Sequence, residues 1–143
     1  MDLETREWLR ERVDGRVAAA VGIGWLVAYQ LATALEPVTH QPEPWYGVLL
    51  GVGFLGLLAG TATGLVMQRR WGLVVSLAAA GFFTALSVAC PVSGHHPFGV
   101  WWFGQMACAL AMLAWSVTAL NWSSRANEPG TGMVNAGDAA SRG

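Results

Sequence analysis

The sequence predicts an all-α integral membrane protein, a bundle of four transmembrane helices. Hydrophobic residues make up 54% of the chain and charged residues only 12%, a balance outside that of ordinary soluble domains. Four apolar stretches contain no Asp, Glu, Lys, Arg or His. Each has about the 20 residues that a helix needs to cross a hydrocarbon core of roughly 30 Å.

The four predicted spans are residues 17–35, 46–67, 71–90 and 98–120. A segment in lipid has to satisfy its own backbone hydrogen bonds, which a helix does and an isolated strand does not. The connections between the spans are short, so consecutive helices should run antiparallel. Residues 17–120 are therefore predicted to form one transmembrane domain.

The arginines predict how the bundle lies in the membrane. All eight basic residues are Arg. They precede the first span, separate the second from the third, or follow the fourth: Arg6, Arg10, Arg12, Arg16, Arg69, Arg70, Arg125 and Arg142. Cytoplasmic segments collect positive charge, so both termini should be cytoplasmic (N-in/C-in). Arginine without lysine indicates a GC-rich genome and favours a bacterial plasma membrane.

A cleaved signal peptide is a competing interpretation of the first span. The segment Ala32-Thr33-Ala34 has the small residues of a cleavage site. However, the apolar run is longer than a usual signal core, and acidic residues accompany the arginines before it. A retained transmembrane helix is therefore the favoured interpretation.

The two terminal segments differ in pattern. Residues 1–16 mix Leu3, Trp8, Leu9 and Val13 with charges in a partly helical rhythm, which predicts a short amphipathic helix on the inner membrane face. A solvated helical extension without a lipid role is the alternative. Residues 121–143 are rich in Gly, Ser, Asn and Ala without apolar periodicity, so we expect a disordered cytoplasmic tail.

Glycines in the second span predict where helices approach closely. Gly56, Gly60 and Gly64 recur at intervals of four residues and so lie along one face. In lipid such a face favours close packing against another helix. The partner is expected within the same chain, and a second copy is the alternative. Gln30 and Gln105 are costly to leave unpaired in lipid, so both should face the bundle interior.

The loop after the third span holds the most suggestive side chains. Cys90, His95 and His96, with His40 from the other outer loop, place thiol and imidazole groups on one predicted face. These groups suit copper or zinc, and imidazole also suits haem iron. The spacing matches no standard zinc site, so histidines that simply face solvent are the alternative. Pro91 is predicted to stop the third span.

The sequence contains no catalytic motif that names an activity, and an enzyme is not expected. Ser93 and His95 have no acidic residue suited to orient the imidazole. The arginines are too sparse to predict nucleic-acid binding. The favoured interpretation is an accessory or interaction subunit whose partners are the lipid bilayer and either a larger membrane protein or a second copy. The alternatives are the metal- or haem-binding protein and a small transporter or channel lined by Gln30, Gln105 and threonines of the second span.

Overall fold

The computed structural model describes residues 3–37, 45–94 and 98–126. In this part the chain forms five α-helices: α1 (Leu3–Arg10), α2 (Gly15–Leu35), α3 (Trp45–Val66), α4 (Arg70–Val92) and α5 (Val100–Ala126). The helices α2 to α5 are each long and apolar enough to cross a membrane. For the described residues, the predicted all-α class with four helices that could span a membrane is confirmed.

The four long helices form an antiparallel bundle in which α4 is central. α4 packs along both α3 and α5, whereas α2 packs on α5 and more lightly on α3. We call the thin contact between α2 and α3 the α2–α3 seam. The arginine end of the bundle is the end that carries α1, the turn between α3 and α4, and the last turn of α5. The other end is called the opposite end.

The closest helix contact joins α3 to α4 at the arginine end. A Cβ atom added to Gly64 would lie 2.3 Å from the Cα of Gly72, and one added to Gly72 would lie 2.5 Å from the carbonyl carbon of Gly64. A Cβ at Gly60 would meet Val75 Cγ1 at 3.3 Å. No described atom lies within 4 Å of a Cβ added to Gly56, which is exposed. The two helices therefore approach most closely at the arginine end, and further along Phe54 of α3 still packs on Phe82 and Phe83 of α4.

A buried hydrogen-bond chain joins three helices in the middle of the bundle. Trp25 Nε1 on α2 donates to Ser76 Oγ on α4 over 2.8 Å. Ser76 Oγ lies 2.8 Å from Ser116 Oγ on α5, and both serines are fully buried. Polar groups that find partners across helices stabilise association in lipid, where apolar burial supplies no driving force.

Pro91 lies inside α4, so the prediction that it ends the helix is wrong. Proline has no N–H to return to the carbonyl of Ser87, four residues earlier. That carbonyl instead accepts a hydrogen bond from Trp102 Nε1 on α5 over 2.8 Å. The helix continues to Val92, and the chain turns at Gly94 with φ +75°. The indole thus compensates for the missing donor and ties α5 to α4.

The last helix runs further than its composition predicts. α5 continues to Ala126, so residues 121–126 are helical rather than part of a tail. Ser123 and Ser124 each donate to the carbonyl of Leu120, and Ser124 also accepts a hydrogen bond from Arg70. Side-chain bonds to the helix and to α4 therefore support this final turn. Residues 127–143 lie outside the described residues.

Arg70 fastens the N-terminal segment to the arginine end. Its side chain is 2% exposed, and its Nη1 lies 2.5 Å from Glu11 Oε2. Its Nη2 donates to Ser124, and its guanidinium lies 4.1 Å from the centroid of the Trp8 ring. The backbone N–H of Arg70 also donates to the carbonyl of Glu11 over 3.0 Å. One side chain therefore connects α1, α4 and α5.

The segment after α1 adds backbone hydrogen bonds to the contacts that Arg70 makes. Val13 N donates to the Gln68 carbonyl over 2.9 Å, and Arg12 pairs with Arg69 as an isolated antiparallel bridge. Arg69 Nη1 bonds the carbonyl of Arg10. The predicted N-terminal helix is thus present as α1, docked across the turn between α3 and α4.

Replacing Arg70 should release α1. In Arg70→Ala, Glu11 and Ser124 lose their shared donor, and we expect amide hydrogen exchange of residues 3–13 to accelerate by at least about tenfold. Arg70→Lys should not restore protection, because one ammonium does not reproduce the fork of a guanidinium. The exposed Arg12→Ala is the matched control. Equal exchange in Arg70→Ala and the wild type would contradict this role.

The pairing of Trp102 with the Ser87 carbonyl can be tested by a double-mutant cycle. Trp102→Phe removes the donor and should lower the free energy of unfolding in micelles by about 1–3 kcal/mol. In a Pro91→Ala background the new N–H can bond Ser87 within the helix, so Trp102→Phe should cost less there. Trp122→Phe, at an exposed position, controls for loss of an indole. Additive effects of the Trp102 and Pro91 changes would contradict the pairing.

Candidate functional site

The predicted metal ligands fall mainly outside the described residues. This holds for His40, His95 and His96. Cys90 is described, lies in the last turns of α4, and is a half-buried cysteine outside any disulfide of the described residues. Within residues 3–37, 45–94 and 98–126, no group of three His, Cys, Asp or Glu side chains is placed to hold a metal ion. Binding of copper, zinc or haem at this loop stays a prediction.

The polar side chains named for a pore are not brought together. Gln105 is buried, but Gln30 lies on the exposed surface of α2, so the prediction that both face the interior is wrong for Gln30. Gln30 is a little over one turn from the end of α2 at Leu35, where a long polar side chain can reach towards the headgroups. Thr61 is buried, whereas Thr63 is exposed and bonds the carbonyl of Ala59 in its own helix.

The glycine line of α3 is covered along only part of its length. Gly64 and Gly60 lie against α4, while Gly56 and Gly53 are exposed with nothing within 4 Å of an added Cβ. Intervals of three and four residues keep all four on one face of the helix. We call Gly53 and Gly56 the open glycine face. Gly53 was missed by the sequence analysis, although its spacing from Gly56 is the signal that finds it.

α3 is also the least covered of the long helices. In its most apolar stretch 17% of residues are buried, against 28–33% in the other three. Within the described residues, no side-chain hydrogen bond joins α3 to another helix. It is held by the glycine contact with α4 and by Phe54, which packs against Trp25, Phe82 and Phe83. Much of its surface is therefore available to lipid or to another helix.

A cavity of about 480 Å³ lies between the four long helices at the opposite end. Cys90, the described member of the predicted metal set, is part of its wall, as are Ser87 and Gln105. Aromatic and aliphatic side chains of α2, α3 and α4 line the rest. The cavity opens to the outside between α2 and α3, where its lining residues Tyr46 and Leu50 are exposed.

Two surfaces could therefore carry function: the open glycine face, suited to packing another helix, and the cavity, suited to a small apolar molecule with a polar group. The four predicted spans contain no Asp or Glu. No protein-family model, curated protein or solved structure matches the chain.

Proposed function

We propose that this chain is an accessory subunit that packs against a transmembrane helix of a larger membrane protein. The observation that carries the proposal is the open glycine face of α3. Glycine costs about 1 kcal/mol relative to alanine within a helix, and no described atom lies within 4 Å of a Cβ added to Gly53 or Gly56, so no close contact there requires a glycine. Small residues in lipid let a second helix approach closely enough for van der Waals and backbone contacts.

The composition of the spans supports an interaction role over ion transport. None of the predicted spans holds an ionisable Asp, Glu, Lys, Arg or His, whereas proton and cation pathways normally use such groups at depth. The side chains first considered for a pore do not share one pathway, since Gln30 lies outside the bundle. A helix-packing role requires only the surface that α3 offers.

A second copy of the chain is the alternative occupant of the open glycine face. α3 could pair with α3 of another copy through the same glycines. We favour a different protein because the open glycine face is short and consists of two glycines. The size of the complex under gentle solubilisation distinguishes the two occupants.

We also propose that the protein resides in a bacterial plasma membrane with the arginine end in the cytoplasm. Every described arginine lies in α1, between α1 and α2, at the start of α2 or α4, in the turn before α4, or at the end of α5. Concentration of arginine at one end of a bundle is what the positive-inside rule predicts for the cytoplasmic side.

Gly56→Leu should abolish the interaction. A leucine there fills the space that a neighbouring backbone would occupy, while the fold is expected to persist because nothing lies within 4 Å of the added Cβ. The measurement is the mass of the tagged protein's complex after solubilisation in a mild detergent. We expect a heteromeric complex for the wild type and a monomer for Gly56→Leu.

Gly81→Leu is the matched control for this experiment. Gly81 lies on α4, is exposed and likewise has nothing within 4 Å of an added Cβ, so its complex should remain intact. A wild-type protein that runs as a lone monomer would overturn the proposal. Complexes that survive Gly56→Leu and Gly81→Leu equally would also overturn it.

The orientation is tested by labelling single cysteines from outside intact cells. In a Cys90→Ser/Cys108→Ser background, Trp45→Cys at the opposite end should react with a membrane-impermeant maleimide, because Trp45 is 76% exposed. Glu4→Cys, exposed at the arginine end, should react only after the cells are opened. The reverse pattern would mean that the arginine end faces outward.

A further inference from the structure

The cavity at the opposite end holds a buried polar group with an unfilled hydrogen-bonding capacity. Gln105 on α5 is 9% exposed and forms part of the cavity wall. Its carboxamide has no hydrogen-bond partner within the described residues. An amide carries two N–H donors and a carbonyl acceptor, and leaving them unpaired in an apolar setting costs free energy.

The serine and threonine hydroxyls of the wall already have partners within their own segments, and the two tyrosines of the wall, Tyr29 and Tyr46, are exposed rather than buried. Ser87 Oγ donates to the Phe83 carbonyl, and Ser93 Oγ donates to the Cys90 carbonyl. Thr33 Oγ1 bonds the carbonyls of Tyr29 and Gln30. The carboxamide of Gln105 is therefore the buried group in this wall that is left to bond an occupant.

The charge of the wall restricts the occupant. The lining contains no Arg, Lys or described His, and its one ionisable carboxylate is Glu36, at the C-terminal cap of α2. Among the described lining residues, a fatty-acid carboxylate or a lipid phosphate would find no Arg or Lys to bind. A neutral polar group bearing carbonyl oxygens suits the N–H donors of Gln105.

The shape of the cavity restricts the occupant further. A volume of about 480 Å³ lies within the usual range for small-molecule sites of roughly 300–1,000 Å³. Tyr29, Leu50, Phe54 and Leu55 supply apolar surface on the side where α2 and α3 part. A molecule with a polar head at Gln105 can therefore extend a hydrocarbon chain through the α2–α3 seam into the bilayer.

We propose that this cavity binds a neutral amphiphile from the bilayer, with a carbonyl-bearing headgroup hydrogen-bonded by Gln105 and its chain leaving along the α2–α3 seam. Isoprenoid quinones and diacylglycerols share this chemistry. The proposal does not depend on the accessory role, because neither Gly53 nor Gly56 lines the cavity.

The test measures binding to the full-length purified protein in detergent with three probes. They are a short-chain menaquinone, dioctanoylglycerol and palmitate, each followed by the shift in the thermal unfolding midpoint and by equilibrium dialysis. We expect one neutral probe to bind saturably and palmitate not to bind. Binding of menaquinone alone identifies a quinone site, and binding of dioctanoylglycerol alone identifies a glyceride site.

Matched glutamine variants separate the site from nonspecific partition into micelles. Gln105→Leu should raise the dissociation constant of the neutral probe at least about tenfold. Gln30→Leu makes the same chemical change at an exposed position outside the cavity and should leave binding unchanged. Equal effects of the two variants would overturn the proposal.

A cavity-filling variant keeps the test decisive if Gln105→Leu fails to fold. Gly51 lines the cavity and has nothing within 4 Å of an added Cβ, so Gly51→Phe should block binding and leave the unliganded unfolding midpoint nearly unchanged. Absence of binding of either neutral probe to the wild type, or binding that survives Gly51→Phe, would overturn the proposal. Binding of palmitate as tightly as the neutral probes would do the same.

Discussion

Buried polar groups in an apolar medium have to find their partners within the protein, and this constraint organises the bundle around α4. At the arginine end Arg70 bonds Glu11 and Ser124. In the middle Ser76 bonds both Trp25 and Ser116. At the opposite end the carbonyl of Ser87, left without its helical donor by Pro91, receives the indole of Trp102. Each of these hydrogen bonds involves a residue of α4. They fix α1, α2 and α5 relative to α4 at three depths of the bundle. Lipid supplies no hydrophobic driving force between helices, which leaves such joins and close packing to hold the fold.

In the described residues, no side-chain hydrogen bond connects α3 to another helix. Both candidate sites lie on this loosely held helix. Its attachment to α4 combines the contact of Gly64 with Gly72, whose backbones would collide with even one added methyl group, and the packing of Phe54 on Phe82 and Phe83. Gly53 and Gly56 lie outside these contacts and are exposed. The thin contact between α2 and α3 leaves the cavity beside the α2–α3 seam. The surface of α3 that α4 does not cover thus presents both candidate sites.

The elements that the sequence predicts well are those set by local composition. The four apolar runs of spanning length form four helices whose bounds differ from the predicted ones by a few residues. This works because the length and hydropathy of a run are properties of that segment alone. The predictions that fail depend on distant partners. Pro91 was expected to end its helix, and the donor that makes it tolerable is Trp102, on the next helix. Arg70 was read only as a charge that sets orientation, and its burial against Glu11 depends on how α1 folds back. Residues 121–126 became helical through bonds that include one to Arg70.

The glycine line of α3 also shows that contacts between helices are harder to predict from the sequence than the helices themselves. Equal spacing makes Gly56, Gly60 and Gly64 equivalent in sequence, but each step of four residues turns about 40° further around a straight helix, so a line of glycines drifts away from the partner that it crosses. Gly64 is buried in the contact with α4, Gly60 is half-buried, and Gly56 is exposed. The point of crossing is set by the turn at Gln68, with its positive φ of 52°, and by the pairing of Val13 with that turn. Gln105 could be placed inside because an unpaired amide in lipid is costly, but that rule does not distinguish a side chain that bonds a neighbour from one that faces a cavity.

Both proposed sites involve α3, so binding at one site can change the affinity of the other. A partner helix packed against Gly53 and Gly56 would contact the half of α3 that also forms one wall of the cavity. In the described residues, no side-chain hydrogen bond joins this half to another helix. If α3 has to shift for an amphiphile to enter the α2–α3 seam, the partner changes the affinity for the amphiphile. By linkage the amphiphile then changes the affinity for the partner by the same factor. The glycine contact at the arginine end would act as the fixed point of such a shift, because its backbones have no room to move closer.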